Sequence, residues 1–124
     1  MKKLLLSLMM ILLPMMAMAV EVEIDGLRYE LVSKTKEAEV AGKTSQYSEN
    51  IVIPEKINYE GEEYLVKSIK QYAFSNSFSL ISVAIPNSVT SIGSNAFSYC
   101  SKLITVTLPN NITRIENFVF SGCI

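Results

Sequence analysis

The feature that most constrains this 124-residue chain is a pattern that recurs every 23 residues in its second half. The segment beginning at Ser77 aligns with the segment beginning at Cys100, and apolar residues, prolines and a final Cys fall on equivalent positions. The matched pairs are Leu80 and Leu103, Val83 and Val106, Ile85 and Leu108, Pro86 and Pro109, Val89 and Ile112, Ile92 and Ile115, Ala96 and Val119, Phe97 and Phe120, and Cys100 and Cys123. One such unit cannot bury its apolar side alone, so successive copies must stack on each other.

An earlier copy of the same pattern contains an insertion. Ile51, Ile53 and Pro54 match Val83, Ile85 and Pro86, and Phe74 of this copy matches Phe97. Nine extra residues lie between Ile57 and Ile69, and they alternate β-forming residues around a central glycine. We therefore predict a β-hairpin insertion at residues 58–67.

Local signals within each copy agree on one architecture. Val83 and Ile85 have the period of two that turns alternate side chains of a strand inward, and Pro86 then ends the strand. Asn87 and Ser88 are turn formers that begin a return path. The prediction is a β-rich solenoid: a right-handed coil with a parallel sheet on one face and short helical or irregular turns on the other. Such a coil places Phe74, Phe97 and Phe120 in one buried column.

The first residues are typical of an export signal. Lys2 and Lys3 precede an apolar stretch, Pro14 interrupts it, and Ala17-Met18-Ala19 provides the small residues that signal peptidase recognises. We predict a signal peptide at 1–19 with cleavage after Ala19, which makes the protein secreted or cell-surface. The alternative, an uncleaved membrane anchor, is disfavoured because Pro14 shortens the apolar run below the roughly 20 residues that a spanning helix needs.

The segment after the signal does not repeat. An Asp25-Gly26 turn between alternating apolar residues predicts a hairpin, and residues 20–50 are predicted to form an N-terminal β-hairpin cap. The repeat array then occupies residues 51–124. Its predicted copies are residues 51–76, 77–99 and 100–124.

Charge and composition exclude several functions. The chain has no His, so it cannot build a Ser/His/Asp or Cys/His catalytic arrangement or a His-based metal site. Without Lys2 and Lys3, nine basic residues oppose twelve acidic ones, a net charge of −3, which disfavours nucleic-acid binding. We predict a non-enzymatic protein with no catalytic residue, no metal site and no cofactor.

Three groups of side chains leave alternatives open. Glu60, Glu62 and Glu63 permit glycosidase or calcium chemistry, but a solvated hairpin tip is favoured because no supporting polar residues accompany them. Cys100 and Cys123 are either two small buried residues in a ladder, which is favoured, or a disulfide. The tyrosines at 72 and 99 adjoin predicted core residues and are expected to be partly buried.

The outward side of the strands is the predicted binding surface. If the apolar residues of each strand point inward, five small, β-branched or hydroxyl-bearing residues project outward. They are Val52, Ser82, Ala84, Thr105 and Thr107. The alternative is that this face only covers the core.

At these residues the chain resembles a known family. The pattern Cys100-x-x-Leu103-x-x-Val106-x-Leu108-Pro109-x-x-Ile112-x-x-Ile115-x-x-x-Val119-Phe120 is similar to the 23-residue leucine-rich repeat of BspA-like proteins, also called the Treponema pallidum type. The resemblance implies a bacterial surface or secreted protein that binds host matrix or bacterial surface proteins. The charge balance predicts no nucleic-acid partner, and the short apolar runs after residue 19 predict no stable membrane span after signal cleavage. The alternative is a structural spacer within a longer surface protein.

Overall fold

The computed structural model describes residues 19–124, and these residues form ten strands and no helix. The strands are β1 (Ala19–Ile24), β2 (Leu27–Val32), β3 (Glu37–Ala41), β4 (Ser48–Val52), β5 (Lys56–Tyr59), β6 (Glu62–Ile69), β7 (Ser79–Ala84), β8 (Ser91–Ile92), β9 (Thr105–Thr107) and β10 (Arg114–Ile115). The predicted signal peptide lies outside the described residues except for Ala19. Its cleavage therefore stays a prediction.

Two sheets organise the chain. The smaller sheet has the order β4-β7-β9 and is parallel throughout. The larger has the order β1-β2-β3-β6-β8-β10, and β5 pairs with β6 at its side. The path from β3 through β6 and β8 to β10 is also parallel. Each repeat copy therefore contributes one strand to each parallel ladder, and the copies stack through backbone hydrogen bonds.

The period-two pattern forms β7 as expected. Val83 and Ile85, two residues apart, are both buried, and Pro86 follows where the strand has ended. Pro54 and Pro109 follow β4 and β9 in the same way, because proline has no N–H to donate to a ladder. Parallel strand spacing thus brings equivalent residues of successive copies into contact.

The return path differs from the prediction of short helical or irregular turns. Part of it is a second parallel ladder, in which Ile69 pairs with Ile92 and Ile92 pairs with Ile115. The segments between this ladder and the next strand are irregular turns in the described residues. Strands of two residues leave no periodic signal in a sequence, so the pattern Val89-x-x-Ile92 did not reveal them.

Aromatic rings form the centre of the core. Phe74 and Phe97 stack with their ring centroids 5.0 Å apart, and Phe97 and Phe120 follow at 5.6 Å. Tyr47 extends the column at the other end, 4.6 Å from Phe74. The predicted column is therefore present, but Phe120 is 40% exposed instead of buried because no further copy covers it among the described residues.

The residues before the repeats form a meander. β1 and β2 pair around the Asp25-Gly26 turn, and β3 pairs with β2 on one side and with β6 on the other. Tyr29, Leu31 and Val40 of these strands are buried in the same core cluster as the repeats. The inserted hairpin pairs Lys56 with Leu65 and turns at Glu60-Gly61, so its strands extend beyond the predicted 58–67.

In the irregular turns, a set of six hydrogen bonds joins the copies, and each runs from an N–H of one copy to a carbonyl of the next copy along the chain. Three N–H groups of the first copy donate to carbonyls of the second, and three of the second donate to the third. The donor–acceptor pairs are Tyr72 to Ser94, Phe74 to Ala96, Asn76 to Ser98, Asn95 to Asn117, Phe97 to Val119, and Tyr99 to Ser121. The equivalent N–H groups of the third copy, those of Phe118, Phe120 and Gly122, have no acceptor within residues 19–124.

Candidate binding surface on the outward strand face

The five predicted residues lie on one face of the β4-β7-β9 sheet. The register aligns Val52, Ala84 and Thr107 in one row across the three strands. A second row contains Ser82 and Thr105, and Asn50 of β4 completes it. We call this surface the strand face: the two rows together with Ile81 and Ile104, described below.

Burial follows the alternation of each strand. Val83 is buried and Val106 half-buried on the core side, so their neighbours in sequence turn outward. Val52 is 74% exposed, and Thr105 and Thr107 are exposed as well. Ser82 and Ala84 are half-buried, because β7 is flanked by a strand on each side.

A β-bulge adds two residues that the sequence pattern missed. The register shifts between Glu49 and Asn50, which leaves Ile81 as an extra residue of β7. Ile81 and Ile104 are 37% and 82% exposed, and the Ile104 N–H donates to the Ile81 carbonyl at 2.8 Å. Inward residues of a regular strand are two apart, but Leu80 and Val83 are three apart in the sequence. This spacing was the available sign of an extra, outward residue between them.

Asn50 was also missed, because it precedes the predicted start of the array. The hydroxyl of Ser82 donates to its Oδ1 at 2.6 Å, which fixes both side chains. The strand face therefore consists of aliphatic, hydroxyl and amide groups and contains no ionised side chain. Such a surface offers contact area and hydrogen bonds but no nucleophile activated by a base.

A groove adjoins this face at the edge of β4. It has a volume of about 420 Å³ and is lined by Val52 and Pro54, by Ile24 and Asp25 of the β1–β2 turn, and by Lys56. β4 pairs on one side only in the described part of the chain. The groove therefore extends the strand face past the last paired strand.

The hairpin glutamates are arranged as a solvated tip. Glu62 lies 3.5 Å from Lys36 and Glu63 lies 3.6 Å from Lys56, and all four side chains are well exposed. Within residues 19–124 no group of three or more His, Cys, Asp or Glu side chains is placed to hold a metal ion. Exposed pairs of this kind contribute little to stability.

Both cysteines are free thiols that occupy equivalent places in the array. The Cys100 Sγ donates to the Phe74 carbonyl at 3.0 Å, and the Cys123 Sγ donates to the Phe97 carbonyl at 2.9 Å. Burial raises the pKa of Cys100 to about 11, which makes its thiolate scarce at neutral pH. The ladder alternative, not the disulfide, is what the structure contains.

No helix within residues 19–124 has both the length and the apolar character to cross a membrane.

Comparison with known proteins identifies the repeat. The family model described as "BspA type Leucine rich repeat region (6 copies)" matches residues 43–124, about two thirds of the chain. The match begins before Asn50 and includes β4, so it starts earlier than the predicted array. Among curated proteins no significant match was found.

Solved structures of bacterial leucine-rich repeat proteins share the fold. A Bacteroides ovatus protein is 30% identical with a TM-score of 0.74, over 82% of this chain and 27% of that one. A leucine rich cell surface protein of Faecalibacterium prausnitzii is 30% identical with a TM-score of 0.64, over 77% of this chain and 26% of that one. The leucine-rich repeat protein of T. pallidum is 25% identical with a TM-score of 0.66, over 83% of this chain and 46% of that one. The chain thus spans about a quarter of the first two relatives.

Proposed function

This chain belongs to the BspA-type leucine-rich repeat family, and from that premise we propose that it is an exported, non-enzymatic module that binds other proteins through its strand face. The partners are host matrix or bacterial surface proteins, and the role is adhesion. Export rests on the predicted signal at residues 1–19. The description of the F. prausnitzii relative as a cell surface protein agrees with it.

The observation that carries this proposal is the uncharged face on which Val52, Ala84 and Thr107 align across three strands. Burying such a surface requires no ion to lose its water, so its desolvation costs little. Valine, isoleucine and threonine also have few side-chain rotamers, which reduces the entropy lost when a partner immobilises them. The exposed Ile104 supplies an apolar anchor at one side.

We propose the finer architecture from the same contacts. The array is a right-handed solenoid of the copies at 51–76, 77–99 and 100–124, and residues 20–50 are its N-terminal cap. Two features support the cap. β3 extends the ladder of β6, β8 and β10, and the buried side chains of Tyr29 and Leu31 cover the first copy.

The test is binding of the purified chain to immobilised extracellular-matrix proteins and bacterial surface proteins. Replacement of Ala84 and Thr107 by Lys puts two charges in the centre of the strand face. We expect this double variant to lose binding by at least about tenfold. Ser101→Lys adds charge at an exposed turn outside the face and is the control. Equal binding by the double variant, or no binding by the parent chain, contradicts the proposal.

The alternative is a spacer that presents another part of a longer surface protein. The observation that favours it is the chain's span of only 26–27% of two relatives. In that case the strand-face variant and the parent are indistinguishable in every binding assay. Shortening the array by one copy would instead reduce the distance between the parts of the longer protein that the array connects.

A further inference from the structure

Besides Phe78 and Phe120, which are 51% and 40% exposed, the turns between the two parallel ladders carry three exposed aromatic side chains that the strand face does not use. Tyr72 is 56% exposed, Tyr99 is 55% exposed and Phe118 is 69% exposed. The two tyrosines, expected to be partly buried beside the core, are thus more exposed than buried, and the Tyr99 ring lies against Gly122. We call the surface formed by residues 71–77, 94–100 and 117–123 the loop face.

The backbone at these aromatics explains why they point outward. Tyr72, Tyr99 and Phe118 all have a left-handed backbone, with φ of 61°, 59° and 59°. This conformation directs the side chain away from the core, and it is unfavourable for a bulky residue.

Other copies place residues that tolerate this conformation at the same positions. Asn95 lies between Tyr72 and Phe118 in the 23-residue register, and Asn76 and Gly122 flank Tyr99. Asparagine and glycine enter the left-handed region readily. The fold therefore does not need aromatic residues there, and more than half of each of the three side chains stays exposed. A bulky residue in a disfavoured conformation with so much exposed surface is the observation from which a binding role is inferred.

The loop face has no charge. Its three segments contain no Asp, Glu, Lys or Arg. Between the rings it presents only amides and hydroxyls, such as those of Gln71, Asn76 and Asn117. A nucleic acid, an acidic peptide or an anionic membrane would gain no ion pair from it.

A groove extends this surface at the first copy. It has a volume of about 350 Å³ and is lined on one side by Tyr72, Ser75 and Asn76 and on the other by Thr44 and Gln46.

The two cations at the rim of this groove already have partners. Arg28 pairs with Glu21. The Lys43 Nζ donates to the Gly26 carbonyl at 2.7 Å and lies 4.8 Å from the centre of the Tyr47 ring. Lys43 therefore keeps its positive charge at the rim, whereas the remaining lining, apart from Arg28, consists of uncharged residues.

We propose that the loop face and this groove bind a neutral oligosaccharide. A sugar ring has an apolar C–H face that stacks on an aromatic ring and a rim of hydroxyls that bond to amides and hydroxyls, which are the groups present here. Tyr72 and Phe118 lie two copies apart, about 10 Å at strand spacing, so one ligand that contacts both is longer than a monosaccharide. This site is separate from the strand face and does not depend on protein binding there.

The experiment is affinity electrophoresis of the chain through gels that contain xylan, mixed-linkage β-glucan or galactomannan, with polygalacturonate as the acidic comparison. We expect retardation by at least one neutral polymer. The double variant Tyr72→Asn with Phe118→Asn carries the residue type of the middle copy at both positions. It is expected to weaken binding by at least about tenfold while its melting temperature stays equal or rises.

Two further variants keep the test sharp. Asn95→Tyr adds a ring between Tyr72 and Phe118 and is expected to tighten binding, and Glu60→Asn at the exposed hairpin tip, outside both surfaces, leaves it unchanged. The proposal is overturned if no neutral polymer retards the chain, if only polygalacturonate does, or if the double variant binds as well as the parent. If the double variant binds polysaccharides as the parent does but no longer binds a protein partner of the parent, the loop face is a protein interface.

Discussion

Single residues show how closely the stacked copies approach each other. Gly93 has an ordinary backbone φ, but a Cβ at this position would lie 2.4 Å from the Gln71 nitrogen and 2.8 Å from its Cα. Backbone atoms cannot move aside as the end of a flexible side chain can. The glycine is therefore required by the contact between the first and second copies.

Gly93→Ala is expected to lower the free energy of unfolding by about 2–3 kcal/mol, the cost of forcing extra volume into packed structure. Urea denaturation monitored by circular dichroism measures it. Gly42→Ala is the matched control, because its Cβ would approach Ala73 O no closer than 3.3 Å. The control should cost less than about 1 kcal/mol. Equal effects of the two substitutions would mean that the copies are not in contact at Gly93.

The raised pKa of Cys100 predicts a loss of stability at alkaline pH. Its folded pKa of about 11 exceeds the ordinary value of 9.0, so the folded protein holds this proton more tightly than the unfolded chain. The resulting stabilisation is complete below pH 9 and disappears as the pH rises to about 11. Its size is about 2–3 kcal/mol.

The informative quantity is the difference between the parent and Cys100→Ala, because it removes the pH dependence that both proteins share. The variant is expected to be less stable at pH 7 and to lose less stability than the parent between pH 9 and pH 11. Denaturation at a series of pH values measures both. Parallel pH profiles for the two proteins would show that Cys100 has no such role.

At the scale of elements, the Phe column is expected to contribute unequally along its length. Phe97 is buried and stacks on both sides, whereas Phe120 stacks on one side and is 40% exposed. Phe97→Ala should cost about 3–5 kcal/mol, and Phe120→Ala about half of that. Thermal and urea denaturation of the two variants provide the comparison. Equal costs would indicate that Phe120 is covered in solution.

The strands β4, β7 and β9 were predictable because alternation and a following proline both act within a few residues. The second ladder was not, since β8 and β10 contain only two residues each and their pairing depends on the copies that flank them. The bulge at Ile81 likewise arises from the register between strands, not from either strand alone. Sequence patterns thus identified the strand within each copy and missed the pairing and the register that depend on neighbouring copies.

The candidate sites divide in the same way. Val52, Ser82, Ala84, Thr105 and Thr107 follow from a period of two and were predicted to face outward, whereas Asn50, Ile81 and Ile104 were not. The exposure of Tyr72 and Tyr99 depends on a positive φ that their residue type argues against. The 23-residue alignment nevertheless places Tyr72 opposite Asn95 and Tyr99 opposite Gly122. Asparagine and glycine at these two positions indicate a left-handed backbone, so the sequence did contain a sign of it.

For the whole molecule, the hydrogen bonds between copies on the loop face have a polarity. The N–H groups of Asn95, Phe97 and Tyr99 donate to carbonyls of the third copy, whereas those of Thr113 and Glu116 donate back to the second copy. The third-copy N–H groups equivalent to the first set, those of Phe118, Phe120 and Gly122, have no acceptor within residues 19–124.

This polarity predicts a gradient of amide hydrogen exchange. The N–H groups of Phe74 and Phe97 bond to the next copy at 2.7 and 2.9 Å, whereas that of Phe120 has no acceptor within residues 19–124. We expect the Phe120 amide to exchange at least about a hundredfold faster than the Phe97 amide, although the two occupy equivalent places in their copies. NMR-detected exchange of the chain at two concentrations measures this ratio. Equal protection at both residues would mean that the third copy is covered. Because self-association depends on concentration, protection of Phe120 that appears only in the concentrated sample would identify a second molecule as the cover.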